Sequence, residues 1–239
     1  MNIAVLGGNG FIGKELVDNL KINNDITSVT RESYNQYIGK HFDVLINASG
    51  SPKKYWAETH QLEDFDANVT SVHRSILDFK YDKYIYLSSI DAIYCSSVYG
   101  FHKYLAEKLI FRYCPNFLIL ELSTVIGKGL KKGVVYDLLN NQKLRVSKDS
   151  SFHLITTTEI ANIITFLLDK GISNDYFAVG GTNSITVSEI AKILGVSYTV
   201  KPSSPVQSYN LDYYLKNLLN IYLLKSSEDY LREFTDANH

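Results

Sequence analysis

The stretch MNIAVLGGNGFIGKELVDNL, residues 1–20, decides the fold. Asn2–Leu6 is a short apolar run of strand type. Gly7-Gly8-Asn9-Gly10-Phe11-Ile12-Gly13 follows at once and sets glycines at 7, 10 and 13, a GxxGxxG spacing. From Phe11 to Ile22 the apolar residues Ile12, Leu16, Val17 and Leu20 recur at helical spacing. The order is therefore strand, glycine turn, amphipathic helix. In such a turn one glycine makes the bend, one lets backbone approach a pyrophosphate, and one lets the helix pack close to the strand. The helix N-terminus adds free N–H groups and the positive end of the macrodipole. Gly7, Asn9, Gly10, Phe11, Ile12 and Gly13 are the expected contacts to a dinucleotide.

Outward from this unit, strand and helix signals alternate. Asp25–Thr30 reads as a second strand, and Phe42–Asn47 (FDVLIN) as a third, apolar enough to be buried on both faces. Leu62–Phe79 reads as a long helix, Lys83–Ser88 as a strand, Tyr99–Tyr113 as a helix and Phe117–Ser123 as a strand. This is the pattern of an α/β protein with a Rossmann-type, doubly wound parallel sheet. Glycine and lysine crowd into 127–133, which marks a change of domain after Gly127. Residues 1–127 are the expected dinucleotide-binding core. Residues 128–239 are the expected small C-terminal, substrate-side appendage, with returns to the core. Helical patterning recurs there at Val134–Asn141, Glu159–Leu168, Val187–Leu194 and Leu211–Leu224, and Tyr176–Val179 reads as one more core strand.

The composition fits this reading. The 239 residues carry 24 Lys and Arg against 25 Asp and Glu, a formal net charge of −1. Such a balance gives no electrostatic footprint for nucleic acid or an anionic membrane, so neither is an expected partner. No apolar run approaches the roughly 20 residues of a membrane span, and no signal peptide is read at the N-terminus. The two cysteines, Cys95 and Cys114, form no CxxC and suit the reducing cytoplasm. No ligand set surrounds His102 or His153, so no metal is expected.

Strand two ends in Thr30-Arg31, where dinucleotide sites choose their cofactor. A carboxylate there takes the ribose hydroxyls of NAD, whereas an arginine fork pairs with the 2′-phosphate of NADP. Arg31 points to NADP, with NAD the alternative and a solvated arginine beside Glu32 the bland one. After strand three, Ala48 and Ser49 are small enough for the adenosine half to lie against the sheet edge.

Tyr99-Gly100-Phe101-His102-Lys103 opens the helix Tyr99–Tyr113. One turn separates Tyr99 from Lys103, so both project from one face. A nearby ammonium favours tyrosinate and lowers the phenol towards working pH, which suits proton transfer. The same lysine is placed to hold the nicotinamide ribose. The motif follows a strand ending Leu87-Ser88-Ser89 and precedes one ending Ser123-Thr124-Val125-Ile126-Gly127.

Together, the N-terminal GxxGxxG, Asn68-Val69 in a long helix, Ser88-Ser89, YGFHKYLAEK and STVIGKG resemble the extended short-chain dehydrogenase/reductases. These are the family of epimerases and dehydratases that act mainly on nucleotide-linked sugars. ITTTEIA at 155–161 and GGTNSITVSEIAKI at 180–193 are similar to its C-terminal pattern. The resemblance implies a Ser-Tyr-Lys site. Tyr99 is then the general acid/base, Lys103 its electrostatic partner and ribose ligand, and a serine the hydrogen-bond donor to the substrate oxygen. It also implies a homodimer through the two long helices, with Leu105, Leu109 and Ile110 as seam.

The chain departs from the family pattern at several positions. The active hydroxyl usually stands four residues before a tyrosine, and counting back from Tyr94 gives Ile90. Ser89 takes the role instead, with Ser88 behind it. Glu121 and Phe152 stand where the family often has arginine. Lys128, Lys131, Lys132 and Arg145 are candidate replacements for a phosphate ligand, against the plainer reading of a solvated basic loop. The dehydratase branch carries Asp-Glu after the hydroxyl, and here the pair is Asp91-Ala92, which argues against elimination. The expectation is an NADP-dependent reductase of a nucleotide-linked keto sugar. The alternatives are an epimerase that retains its cofactor and a non-enzymatic dinucleotide sensor.

Overall fold

The computed structural model describes residues 1–237. The chain divides into two compact units, Met1–Leu122 with Ala161–Phe177, and Ser123–Ile160 with Ala178 onward.

The first unit carries the parallel sheet. Its strands are β1 (Asn2–Leu6), β2 (Asp25–Val29), β3 (His41–Asn47), β4 (Lys80–Ser89) and β5 (Phe117–Leu122). With Asp175–Val179 beyond β5 they form a six-stranded sheet in the order β2-β1-β3-β4-β5-edge strand. The pairs β1–β2, β1–β3, β3–β4 and β4–β5 are all parallel. The central strands are buried throughout, as their unbroken apolar runs require; Ile3, Leu45, Ile85, Leu118 and Ile119 are fully inaccessible.

Helices α1 (Phe11–Leu20), α2 (Lys54–Ala57), α3 (Gln61–Phe65), α4 (Ser71–Asp78), α5 (Ile90–Tyr94) and α6 (Val98–Tyr113) belong to this unit. The expected long helix Leu62–Phe79 is helical from Leu62 to Asp78 but not uniform, and Phe79 is extended. A π-helical segment at Asp66–Thr70 joins α3 to α4. One core cluster packs α4 and α6 on the sheet through Val72, Ile76, Ala106, Ile110, Tyr84 and Ile119. Ile110 is thus fully buried in the core and corrects the expectation that it lies on an exposed seam. The apolar side chains that α6 does expose are Phe101, Phe111 and Tyr113.

In the second unit, Thr124–Ile126 pairs in parallel with Leu154–Thr156, and Ser151–Phe152 pairs antiparallel with Ile185–Thr186. A second core forms from Val134, Leu138, Phe152, Ile190, Leu231 and Phe234. Helices Val187–Leu194 and Ser227–Asp236 both start with a capping box, Thr186 with Glu189 and Ser226 with Asp229. The expected helix Leu211–Leu224 is reduced to one helical turn, Lys216–Leu219. Leu211, Leu215 and Leu218 are fully buried, so the helical spacing is genuine. Turns at 212–215 and 220–221 flank Lys216–Leu219.

Candidate active site

The site is built at the carboxyl ends of the parallel strands. Leu6 pairs with Asn47, and Asn47 with Tyr86, so the segments after β1, β3 and β4 leave the sheet at one edge. That edge is where open α/β sheets take ligands.

The glycine turn follows β1. Gly7 has φ 76°, a left-handed conformation that favours glycine, and its N–H bonds to the Val29 carbonyl at 2.9 Å. Gly10 is the N-cap of α1 and offers no side chain to cap it. A Cβ on Gly13 would stand 2.1 Å from the Gly7 carbonyl oxygen, so only glycine lets α1 start so close to the turn. Asn9 and Gly10 are exposed, and Phe11 and Ile12 half-buried. Ala48 and Ser49 approach Gly7 from β3, where a Cβ on Gly7 would meet Ser49 at 3.0 Å. Ser49 is fixed by Asn47, whose Oδ1 accepts from its N–H at 3.0 Å and its hydroxyl at 2.6 Å. An uncapped helix start beside backbone with no side chain in the way is a fit for a diphosphate. Arg31 is exposed at the end of β2, and Thr30 N–H donates to Ser33 Oγ at 3.0 Å.

Ser89 ends β4 and caps α5, its Oγ accepting from the Asp91 N–H at 3.2 Å. Only eight residues separate Ser89 from Val98. They fold as α5 and a left-handed turn at Cys95, φ 48°. Ser97 caps α6 through the Gly100 N–H at 3.0 Å. A Cβ on Gly100 would lie 2.3 Å from the Asp91 carbonyl oxygen, so glycine lets α6 pack directly on α5. Tyr99 is thereby brought beside Ser89, whose hydroxyl donates to Asp91 Oδ2 at 3.3 Å. Ile90 is buried and contributes packing at the position where the family pattern has a hydroxyl.

Tyr99 is half-buried, and its phenol is held above the ordinary tyrosine range by burial first and by the Asp91 charge second. The neighbouring Ser89 hydroxyl acts the other way. Lys103 is not among the groups that move it. This corrects the expectation that a neighbouring ammonium lowers the phenol. The reason is where Lys103 points. Its Nζ donates to the Leu87 carbonyl at 2.8 Å and sits 4.2 Å from the centre of the Tyr86 ring. Burial brings Lys103 down to about 7, opposed by Glu107 and Asp64.

Several partners at the site have no motif of their own. Ser88 donates to Glu107 and faces Glu121 across the β4–β5 register. Burial raises Glu107 to about 7 and Glu121 to about 8, with Glu107 adding to the rise at Glu121. Ser88 is therefore committed to the interior, and Ser89 is the serine that bears on Tyr99. Lys54 is ion-paired with Asp91. Asp64, fully buried on α3, meets His102 Nδ1 at 2.8 Å. Helical spacing could have signalled Glu107, which continues the Tyr99, Lys103 face by one more turn. Nothing local signalled Asp64.

In the second unit Phe152 is a core residue, packed with Leu154, Ile185 and Leu231 rather than offered to a ligand. Lys128, Lys131, Lys132 and Arg145 are exposed. Away from the site, His41, Asp43 and Asp82 come within 4.8 Å of one another. Internal bonds already occupy them, His41 to Asp82 at 2.9 Å and Asp43 to the Asn2 N–H at 2.8 Å. No helix among the described residues is long and apolar enough to cross a membrane.

The fold is a Rossmann-type α/β fold shared with solved epimerases and reductases. Among solved structures the chain is similar to UDP-N-acetylglucosamine 4-epimerase from Methanobrevibacter ruminantium M1 in complex with UDP-N-acetylmuramic acid. That match has 17% identity and a TM-score of 0.75, over 98% of this chain and 97% of that one. It is similar to UDP-glucuronic acid 4-epimerase from Bacillus cereus in complex with UDP-glucuronic acid and NAD, at 19% identity and TM-score 0.78, over 99% and 98%. It is also similar to dTDP-4-dehydrorhamnose reductase from Bacillus anthracis str. Ames in complex with NADP, at 17% identity and TM-score 0.79, over 99% of both chains. No protein-family model and no curated protein matches the sequence.

Proposed function

We propose that this chain is an NADP-dependent reductase of a keto sugar, one carried on a nucleotide, with Ser89, Tyr99 and Lys103 as its catalytic residues. The observation that carries the reading is geometric: Ser89 ends β4 and caps α5, Gly100 lets α6 pack directly on α5, and Tyr99 with Lys103 one turn on opens α6 at the carboxyl end of the sheet. A protonated phenol there can give its proton to a forming alkoxide, and Arg31, exposed after β2, favours NADP, the natural cofactor of a net reduction. Similar structures that carry NAD or NADP and nucleotide sugars support the chemical class.

A bound nicotinamide dinucleotide supplies the hydride. Gly7, Asn9, Gly10, Phe11, Ile12 and Gly13 would hold its diphosphate, Ala48 and Ser49 its adenosine half, and Arg31 the 2′-phosphate. Tyr99 and Lys103 would flank the nicotinamide ribose. At the substrate, the Ser89 hydroxyl holds the carbonyl oxygen and Tyr99 delivers the proton to it. Lys103 would act through the nicotinamide ribose rather than on the phenol.

We read the enzyme as a cytoplasmic homodimer. Cys95 and Cys114 are both free thiols, and exposed Phe101 with half-buried Leu105 and Leu109 lies on α6. Sedimentation showing only monomer at micromolar concentration would remove the dimer.

Activity is tested by following NADPH absorbance with a panel of nucleotide-linked keto sugars. Oxidation of NADPH in step with substrate supports the reductase. Substrate turnover without net NADPH oxidation gives an epimerase, and no turnover with tight NADPH binding gives a sensor.

A further inference from the structure

Lys54 has no part in the chemistry above, yet its ammonium reaches the candidate site. It opens α2, in the crossover after β3, and is ion-paired through Asp91 Oδ1 with the first turn of α5. Both side chains are largely out of water, 23% and 13% exposed. The second oxygen of the same carboxylate faces Ser89. Asp91 Oδ2 accepts from the Ser89 hydroxyl at 3.3 Å, and the Asp91 N–H donates back to Ser89 Oγ at 3.2 Å. One carboxylate is thus shared between a cation and the hydroxyl assigned to the substrate oxygen.

A serine hydroxyl has a single hydrogen to give. Asp91 holds that of Ser89 loosely at 3.3 Å, since a hydroxyl bonded to a carboxylate ordinarily closes to about 2.5–2.7 Å. The Asp91 N–H meanwhile fixes the oxygen at the end of β4. We propose that Lys54 is a positioning residue for the Ser89 hydroxyl. By engaging Asp91 through Oδ1 it keeps Oδ2 from closing on Ser89, and so leaves that hydrogen to turn to the substrate oxygen.

Docking of α2 has other anchors. Ala57 is fully buried, and Glu58 Oε1 accepts the Val98 N–H at 3.0 Å, at the first residue of α6. Upstream, Ser51 is bonded twice to Asn68, at 3.1 Å and 3.0 Å. The adjacent Lys53 lies over the Trp56 ring, 5.3 Å from its centre, and is engaged there instead of at Asp91. Removing Lys54 therefore leaves α2 in place and takes the cation from Asp91. A carboxylate largely out of water is costly without its counter-charge. The Ser89 hydroxyl is a donor already beside it, and is drawn in.

The inference rests on the reading of Ser89 as donor to the substrate oxygen, and its first measurement needs no substrate. Crystal structures of the wild type and Lys54→Met give the Ser89 Oγ to Asp91 Oδ2 distance. It should contract from 3.3 Å in the wild type to about 2.7 Å in the variant, and stay long in Lys54→Arg, which keeps the cation. If Lys54→Met does not fold, the neutral Lys54→Gln takes its place with the same expected contraction. The second measurement is NADPH oxidation with the panel of nucleotide-linked keto sugars. Lys54→Met should lower kcat about tenfold, a part of the roughly 10²–10³ that one lost donor to an oxyanion costs, with KM and NADPH affinity within about twofold. The loss should vanish in a Ser89→Ala background, because both residues act through one hydrogen bond. Equal distances in wild type and Lys54→Met, or losses that multiply with that of Ser89→Ala, overturn the proposal. A wild type that reduces no keto sugar overturns the reductase reading instead, while the distances still decide whether Lys54 sets the Ser89 hydroxyl.

Discussion

A Cβ on Gly13 would lie 2.1 Å from the carbonyl oxygen of Gly7. The two residues are the closing contact of the glycine turn, and the atom that would clash is backbone, which cannot rotate away. Gly13→Ala must therefore push α1 off the turn. It should cost about 1–3 kcal/mol of stability, the usual range for overpacking. It should also weaken NADPH binding, because the same shift moves the N–H groups at the start of α1. Urea unfolding and cofactor titration measure both, and an unchanged pair of values would show that the turn tolerates a side chain.

Arg31 is exposed at the end of β2, free to meet a 2′-phosphate without losing an internal contact of the sheet. Arg31→Asp should weaken NADP binding more than tenfold, roughly 1.4 kcal/mol or more for one charge-assisted pair, and leave NAD affinity nearly as it was. Equal affinity of the unmutated protein for NAD and NADP would sink the NADP assignment.

Tyr99→Phe deletes one oxygen and leaves the ring packing in place. Turnover should fall by about 10²–10⁴-fold, the range of general acid catalysis, while NADPH affinity barely changes. Lys103→Ala should damage turnover and binding together. Ser89→Ala should lower turnover, whereas Ser88→Ala should act mainly on stability, since Ser88 serves Glu107. Near-full reductase activity in Tyr99→Phe would end the Ser-Tyr-Lys reading.

Glu121 is raised from 4.5 to about 8 by burial and by Glu107. Between those values the folded state binds more protons than the unfolded one, so stability falls as pH rises through the window. Glu107, raised to about 7, acts with the same sign. Lys103, brought down from 10.5 to about 7, acts oppositely between 7 and 10.5, where the unfolded chain holds the extra proton. Glu121→Gln removes one carboxyl from the first window. Its stability should match the wild type below about pH 4 and exceed it above pH 8. The slope between them should drop by up to about 1.4 kcal/mol per pH unit. Parallel unfolding curves at all pH values would mean that Glu121 ionises normally.

The strand–turn–helix start, the alternation of strands and helices, and the Tyr99–Lys103 spacing were legible because each is a local property of the chain. A period of two or 3.6, or a glycine at a bend, needs no distant partner to declare itself. Glu107 lay within the same reach. What depends on burial or on distant pairing was not legible. Ile110 has helical spacing like its neighbours, and only the packing of α6 on the sheet decides that it is core. The apolar spacing of Leu211–Leu224 predicts the three buried leucines correctly but not the broken turns between them. The expectation that Lys103 lowers the Tyr99 phenol follows from spacing alone and fails because the lysine turns to the Leu87 carbonyl. Asp64 and His102 stand 38 positions apart and meet only because the crossover after β3 returns α3 against α6. The sequence by itself determined the doubly wound sheet and the face on which Tyr99 and Lys103 stand. The tertiary structure alone decided which charges are taken out of water around them, because desolvation and long-range pairing depend on what the rest of the chain packs against each group.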